Sequence, residues 1–184
     1  MSLTAPTATR GQELAEVLFN PAETPVFAVL DGASAPGLLM KLGELAPEHC
    51  CLYSGEMKPD IAAVAPYLVR LESGGEFTAW VLREGWGVHW GVFVASLGNL
   101  RTLRDHFREF LKVELPDQRT VIFRYYDPRV LRNFLPACNT TELKKFFGPV
   151  QSFVLEGETP EIGLKFALAG KALKPETIQL KPPV

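Results

Sequence analysis

The sequence predicts a mixed α/β fold, in which a mixed sheet with flanking helices forms two closely packed lobes. Strand-like and helix-like segments alternate early in the chain and hairpin signals follow later, a pattern typical of mixed α/β domains. Residues 26–31 are apolar up to the last position, as in a strand buried on both faces. In residues 100–111, leucine and phenylalanine recur on one face of a helix. A hydrophobic content of 47% over 184 residues is enough for one domain with a core.

Turn residues and helix caps set the limits of each predicted element. Pro21 and Pro25 end the first helix, and Gly85 ends a later one. The sequence Pro-Asp-Gln-Arg at residues 116–119 predicts a hairpin turn. The predicted elements are, in order, helix 12–19, strand 26–31, helix 36–42, strands 50–53 and 67–71, helix 77–84, strand 88–95, helix 100–111, strands 113–115 and 121–126, a helix from residue 128, helix 141–147, and strands 150–155 and 162–168.

The chain is expected to hold a single domain. We predict a disordered N-terminus over residues 1–10, the domain over 11–169, and a C-terminal tail over 170–184, with an added edge segment as the alternative for that last stretch. No start resembling a signal peptide and no apolar run long enough to span a bilayer is present in the sequence. We therefore expect a cytoplasmic protein that does not bind membranes.

Composition and motifs argue against several kinds of chemistry. A net charge of −2 argues against nucleic-acid binding. The three cysteines suit reduced thiols better than a disulfide framework. Leu38 and Leu39 stand where a phosphate-binding loop needs Lys and Ser or Thr, and the histidines match no zinc spacing. We accordingly predict no catalytic residue, no metal ligand and no cofactor.

The segment 124–132 is the most informative part of the chain. Asp127 is a good helix N-cap, and Pro128 suits the first helical position. Arg124 falls on the predicted inner face of a strand, where it needs a partner, and we expect it to pair with Asp31 or Glu84.

A second helix boundary lies further along the chain. Asn139 and Glu142 form a capping-box pattern at the start of helix 141–147. Gly148 ends that helix.

Aromatic and arginine side chains are the candidate contacts with a protein partner, because Trp, Tyr and Arg dominate interface hot spots. The alternative for the aromatic residues is packing in the core. For Arg129 and Arg132, which lie away from the apolar stripe of their helix, the alternative is a solvated surface. The predicted partner-binding residues are Trp86, Trp90, Tyr126, Arg129 and Arg132.

The run RYYDPRVLRNFLP, with WGVFVAS upstream and FFGPV downstream, resembles the type VI secretion adaptor family, which is built on domain of unknown function 4123. The segments VFAVLDGAS and VAPYLVRLE agree in order, and the resemblance covers roughly residues 14–155. It implies a non-catalytic adaptor, an effector chaperone of bacteria. Such a protein binds a cognate toxin effector and helps to load it onto the VgrG spike protein.

An alternative function remains open. The glycine turn from Gly32 to Gly37 follows a strand and precedes a helix, and ligands bind at such strand ends in open α/β sheets. Asp31 together with this turn would then form the site of a small-molecule-binding protein or an enzyme.

Overall fold

The computed structural model describes residues 9–20, 23–114 and 117–182, and these form one seven-stranded sheet, a separate two-stranded hairpin and seven helices. The helices are α1 (Arg10–Leu18), α2 (Leu38–Leu45), α3 (Pro59–Val64), α4 (Glu76–Glu84), α5 (Leu100–Arg108), α6 (Pro128–Ala137) and α7 (Thr140–Phe147). The strands are β1 (Val26–Asp31), β2 (His49–Cys51), β3 (Pro66–Leu71), β4 (Gly91–Ser96), β5 (Lys112–Glu114), β6 (Thr120–Ile122), β7 (Val150–Glu156), β8 (Ile162–Ala169) and β9 (Ala172–Gln179).

The strands of the main sheet lie in the order β2-β3-β1-β4-β7-β8-β9, and every neighbouring pair is antiparallel. The predicted mixed α/β class is confirmed, but the sheet itself is not mixed. Continuous apolar strands are typical of parallel sheets because helices cover both faces. Here helices cover both faces of an antiparallel sheet, so apolar content alone did not reveal strand direction.

The two predicted lobes are the two faces of this one sheet. Side chains alternate along β1, so that Ala28 packs into one hydrophobic core and Phe27 into the other. Helices α1, α2 and α4 supply the first core, and α5, α6 and α7 supply the second. Each face of the sheet is thus buried under its own layer of helices.

Several predicted boundaries were wrong. The strand predicted over 121–126 ends at Ile122, and Tyr125 and Tyr126 lie in a turn that is packed into the second core. Burial of both tyrosines, rather than strand alternation, explains their aromatic character. The sequence also gave no sign of α3, a six-residue helix with no buried residue. Such a helix leaves no amphipathic pattern to detect.

The chain ends also differ from the predictions. Thr9 caps α1, which begins at Arg10, so those two residues are not part of a disordered start. Some predicted features lie outside the described residues. They are residues 1–8 of the N-terminus, Pro21, the strand end at Leu115 with the turn residue Pro116 that follows it, and residues 183–184 of the tail.

The predicted C-terminal tail is instead the edge strand β9, as the alternative proposed. It pairs with β8 over its whole length, and Ile178 is buried in the first core. Pro175, which cannot donate a backbone hydrogen bond, is tolerated at a sheet edge and makes this edge a poor template for a further strand.

Candidate functional site

Charged side chains from distant parts of the sequence meet at one end of the main sheet. Because neighbouring strands are antiparallel, the last residue of β1, Asp31, lies at the same end as the first residue of β4 and the last residue of β7, Glu156. The loop before β4 and the turn before α6 reach the same place. We call the group the sheet-end cluster, and its members are Asp31, His89, Arg124, Asp127, Arg129, Arg132 and Glu156.

Arg124 forms an ion pair with Asp31, which confirms the first of the two partners expected for it. The carboxylate is buried and also accepts hydrogen bonds from the Ala33 N–H, 3.1 Å, and the Ser34 hydroxyl, 2.8 Å. The guanidinium is not on an inner face as expected, since its side chain is 46% exposed. Burial works to lower the pKa of Arg124, but the hydrogen bond and charge of Asp31 outweigh it and hold that pKa above its ordinary value.

Asp127 and Pro128 start α6 as predicted. The Asp127 carboxylate accepts the Arg129 N–H at 2.9 Å, and Pro128 occupies the first turn. The same carboxylate accepts two hydrogen bonds from the Arg129 guanidinium, from Nε at 3.0 Å and from Nη2 at 2.7 Å. Burial works to raise the pKa of Asp127, but these bonds to Arg129 outweigh it, and the pKa lies below its usual value. Arg129 therefore faces solvent while its guanidinium is held by the buried Asp127 carboxylate, and it is not a freely moving cation on the helix surface.

Glu156 and His89 form the third pair of the cluster. The Glu156 carboxylate is buried, accepts the His89 backbone N–H at 3.1 Å, and lies 2.6 Å from His89 Nδ1. Burial raises the pKa of Glu156 above its ordinary value, against the opposing influence of His89. His89 has a φ of 63°, in the left-handed region, and its contacts with Glu156 support that backbone.

Arg132 is not the outward contact that the sequence predicted. Its Nη1 donates to the Gly157 carbonyl, which ties α6 to the turn after β7. The side chain is only partly exposed. Of the two helix arginines, Arg129 alone presents half of its side chain to solvent.

The three predicted aromatic contacts are buried, so they offer no open surface to a partner. Trp86 donates its indole N–H to the Pro160 carbonyl at 2.8 Å and stacks near Phe93. Trp90 packs against Trp80, with ring centroids 4.9 Å apart. Tyr126 is 2% exposed, and burial raises the pKa of its hydroxyl. Core packing, the alternative for these residues, is the correct interpretation.

Gly32 has a packing role at the end of β1. A Cβ at this position would lie 2.6 Å from the carbonyl oxygens of Ala63 and Ala65, so only glycine allows the close approach. The turn is therefore filled by the chain itself, and the oxygens of Asp31 already have protein partners.

An open cavity of about 780 Å³ lies beside the sheet-end cluster, between α3, the end of β2 and the β5–β6 hairpin. Its apolar lining includes Leu52, Met57, Ile61, Leu111 and Ile122. Its charged rim carries both signs, with Glu56, Lys58, Asp60 and Lys112. We call this cavity together with the hairpin the hairpin groove.

The hairpin groove presents apolar side chains to solvent. Ile122 on the hairpin and Ile61 on α3 line the cavity and are exposed. Val113 and Val121 are exposed as well, but they pair with each other one position away and so project from the other face of the hairpin. The sequence did not identify this surface, because the predicted hairpin carried no sign of standing apart from the sheet and α3 was not predicted.

Arg108 holds the wall of the groove in place. Its guanidinium donates at 3.0 Å to each of three backbone carbonyls, those of Cys51, Leu52 and Tyr53. Arg108 is a charged residue of an amphipathic helix, and no local pattern signals a partner 55 residues away. The nearby thiol of Cys50 is free, and burial raises its pKa to about 11.

A family model described as domain of unknown function (DUF4123) matches residues 26–145, well over half of the chain. The chain belongs to that family. The DUF4123 match runs from β1 to α7, so it includes the hairpin groove and every member of the sheet-end cluster except Glu156. No curated protein and no solved structure matches the chain.

Two further findings bear on the chemistry available to this DUF4123 member. Within residues 9–20, 23–114 and 117–182, no group of three or more His, Cys, Asp or Glu side chains is placed to hold a metal ion. In the same ranges, no helix has both the length and the apolar character needed to cross a bilayer.

Proposed function

We propose that this protein is a non-catalytic cytoplasmic adaptor that binds a cognate toxin effector of the type VI secretion system and helps to load it onto the VgrG spike. Membership of the DUF4123 family supports the proposal, through the resemblance of its motifs to the secretion adaptors. The structural observation that carries it is the hairpin groove.

The groove has the properties of a protein-binding surface. A two-stranded hairpin is at best marginally stable in water alone, and this one exposes apolar side chains that a partner would cover. Contiguous exposed apolar surface with a polar rim marks interaction sites on soluble proteins. The occupant we propose is an apolar segment of the toxin, which the adaptor shields from water until secretion.

The test is co-expression of the tagged protein with the toxins encoded beside its gene and with VgrG. We expect one toxin to co-purify with the adaptor and VgrG to join that complex. A protein that binds none of the neighbouring toxins and does not raise their soluble yield would contradict the proposal.

The volume of the cavity favours a second candidate function, the binding of a small molecule. Pockets for such ligands commonly enclose about 300–1,000 Å³, a range that includes this cavity. In that case the ligand would bind in this cavity and not at the site expected around Asp31 and the glycine turn. A toxin that competes with a cavity-bound small molecule would indicate that one site serves both; a ligand that binds with no toxin interaction would favour the second function.

A further inference from the structure

We propose that Arg124 and Arg129 together form an anchor for a carboxylate group of the partner protein. The inference rests on the proposed adaptor function in one respect, that the carboxylate belongs to a bound protein. Its basis is the geometry and charge of the sheet-end cluster.

Both arginines have hydrogen-bond donors to spare. A guanidinium carries five N–H donors. Arg124 uses Nη2 toward Asp31, and Arg129 uses Nε and Nη2 toward Asp127. Within the described part of the chain, these carboxylates are the acceptors that the two guanidiniums contact, so Nη1 of each side chain remains available to a ligand.

The two guanidiniums are fixed before any ligand arrives. The side chains of Asp31 and Asp127 are 3% and 7% exposed, whereas those of Arg124 and Arg129 are 46% and 53% exposed. Each arginine is therefore bonded to a buried carboxylate on one side and faces solvent on the other. Long side chains lose rotamer entropy on binding, and that cost is reduced here because the carboxylates already hold them.

The two arginines also belong to one electrostatic site. The charge of Asp127 helps to raise the pKa of Arg124, and the charge of Asp31 helps to raise the pKa of Arg129, in addition to the effect of each arginine's direct partner. The backbone links the two ion pairs directly, because the Asp127 N–H donates to the Arg124 carbonyl at 3.0 Å in a tight turn. One ligand group would therefore bridge the two arginines across this turn. The N-terminus of α6 is not the recognition element, since Asp127 already caps it.

The arginines of the cluster outnumber its aspartates. The 2.6 Å contact between His89 Nδ1 and Glu156 Oε2 requires a proton between the two atoms, and neither atom has another hydrogen-bond partner among the described residues. Glu156 thus makes its contact with His89, and among the described residues no ion pair joins it to an arginine.

Three arginines then face two aspartates. Arg132 meets the carbonyl of Gly157 and not a carboxylate, so its charge is not cancelled. Three guanidiniums therefore have two direct carboxylate partners among the described residues, on a chain whose net charge is −2.

A carboxylate is the ligand that matches this site. It is planar and singly charged, and guanidinium N–H groups bond it in a fork geometry. The hairpin groove adjoins the cluster, because Arg124 follows Ile122 by two residues and Tyr53 lines the cavity beside Tyr126. We infer that the toxin segment bound in the groove places an Asp or Glu side chain over the arginine pair.

The experiment uses the full-length protein labelled with ¹⁵N and follows the arginine Nε–Hε signals by NMR. The probe is an acetylated and amidated pentapeptide with two glutamates among glycines, and its control is the same peptide with glutamines. We expect saturable shifts of the Arg124 and Arg129 signals with the glutamate peptide alone. A wild-type protein that shows no saturable shift, or the same shift with both peptides, would refute the anchor.

Variants locate the site. R124Q/R129Q is expected to bind the glutamate peptide at least about tenfold more weakly. R124K/R129K, which keeps the charges and loses the fork, is expected to fall between this variant and the wild type. R83Q is the matched control, because Arg83 is an exposed arginine paired with its neighbour Glu84. A loss of binding in R83Q equal to that in the double variant would contradict the assignment.

Inorganic phosphate, titrated separately, distinguishes the chemistry of the ligand. Phosphate that binds the arginine pair more tightly than the glutamate peptide would overturn the proposal of a carboxylate. No toxin enters these titrations, so the anchor can fail while co-purification of the toxin still succeeds, and the reverse can also occur.

Discussion

At the scale of single residues, three buried carboxylates at the end of the sheet each contact a more exposed arginine or histidine side chain. Asp31, Asp127 and Glu156 are nearly inaccessible, and each contacts a side chain that reaches solvent. A buried carboxylate is costly unless it is paired and hydrogen-bonded, so these residues fix both the backbone around them and the orientation of their partners. Stability and recognition are therefore linked at this end of the molecule.

Asp31→Asn tests the structural role of the first pair. The substitution keeps the size of the side chain but removes the charge that holds Arg124. We expect the free energy of unfolding to fall by about 2 kcal/mol, measured by urea denaturation, because hydrogen bonds to charged groups contribute about 1.5–3 kcal/mol. The control Glu84→Gln breaks an exposed pair and is expected to cost about 0.5 kcal/mol or less. Equal losses in the two variants would contradict the role of Asp31.

Glu156→Gln tests the pH dependence of the third pair. Because the pKa of Glu156 is raised in the folded protein, the folded state holds more protons than the unfolded state above the ordinary carboxyl pKa of 4.5. The contribution of Glu156 to wild-type stability therefore falls as pH rises from that value through the raised pKa. We expect the free energy of unfolding of the variant, relative to wild type, to increase as the pH rises above about 4.5. A difference in unfolding free energy that stays constant or decreases with pH would show that the pKa of Glu156 is not raised in the folded protein.

At the scale of secondary-structure elements, the predictions that rested on local chemistry were confirmed. The Asn139–Glu142 capping box, the Asp127 cap and the Gly148 stop all lie where the sequence placed them, because caps depend on a few adjacent residues. The strand predicted through Tyr126 was wrong because Phe123, Tyr125 and Tyr126 owe their aromatic character to packing in or against the second core and not to a strand. Periodicity does not show whether an apolar side chain is buried by a strand or by a loop.

Gly148→Ala tests the end of α7. Gly148 has a φ of 47°, and a Cβ at this position would lie 2.5 Å from His106 Cε1. We expect the substitution to lower the free energy of unfolding by about 1–3 kcal/mol, measured by urea denaturation.

Gly43→Ala is the matched control, since Gly43 lies within α2 and a Cβ there meets nothing within 4 Å. It is expected to raise the free energy of unfolding by up to about 1 kcal/mol, because alanine favours a helix over glycine. A Gly148→Ala variant as stable as the control would rule out the backbone requirement.

At the scale of the whole molecule, the sequence predicted the fold class but not the arrangement of the sheet. Strand order, antiparallel pairing and the role of β9 depend on contacts between distant segments, which a single sequence does not display. The same limit applies to the site. The pairing of Arg124 with Asp31, 93 residues away, was expected only because a buried-face arginine needs an acid. The contacts of Arg132, Arg108 and Glu156 carried no comparable signal.

The groove and the arginine pair lie at the same end of the sheet, and Leu52 and Leu111 of the second core form part of the groove's apolar wall. The helices bury the two faces of the sheet, and the exposed apolar residues Ile122 and Ile61 line the groove beside the arginine pair. This arrangement suits a protein that acts by binding, with an apolar contact area and a charged anchor next to each other.

The most direct test of the proposed function is the affinity of the purified protein for its co-purifying toxin, measured by isothermal titration calorimetry for wild type, Ile122→Asp and Leu97→Asp. Ile122 and Leu97 are both exposed apolar residues, but only Ile122 lies in the hairpin groove. A carboxylate placed in an apolar contact must lose its water, so we predict that Ile122→Asp raises Kd at least about tenfold while Leu97→Asp leaves it unchanged. Equal affinity for all three proteins would contradict the assignment of the hairpin groove as the toxin-binding surface.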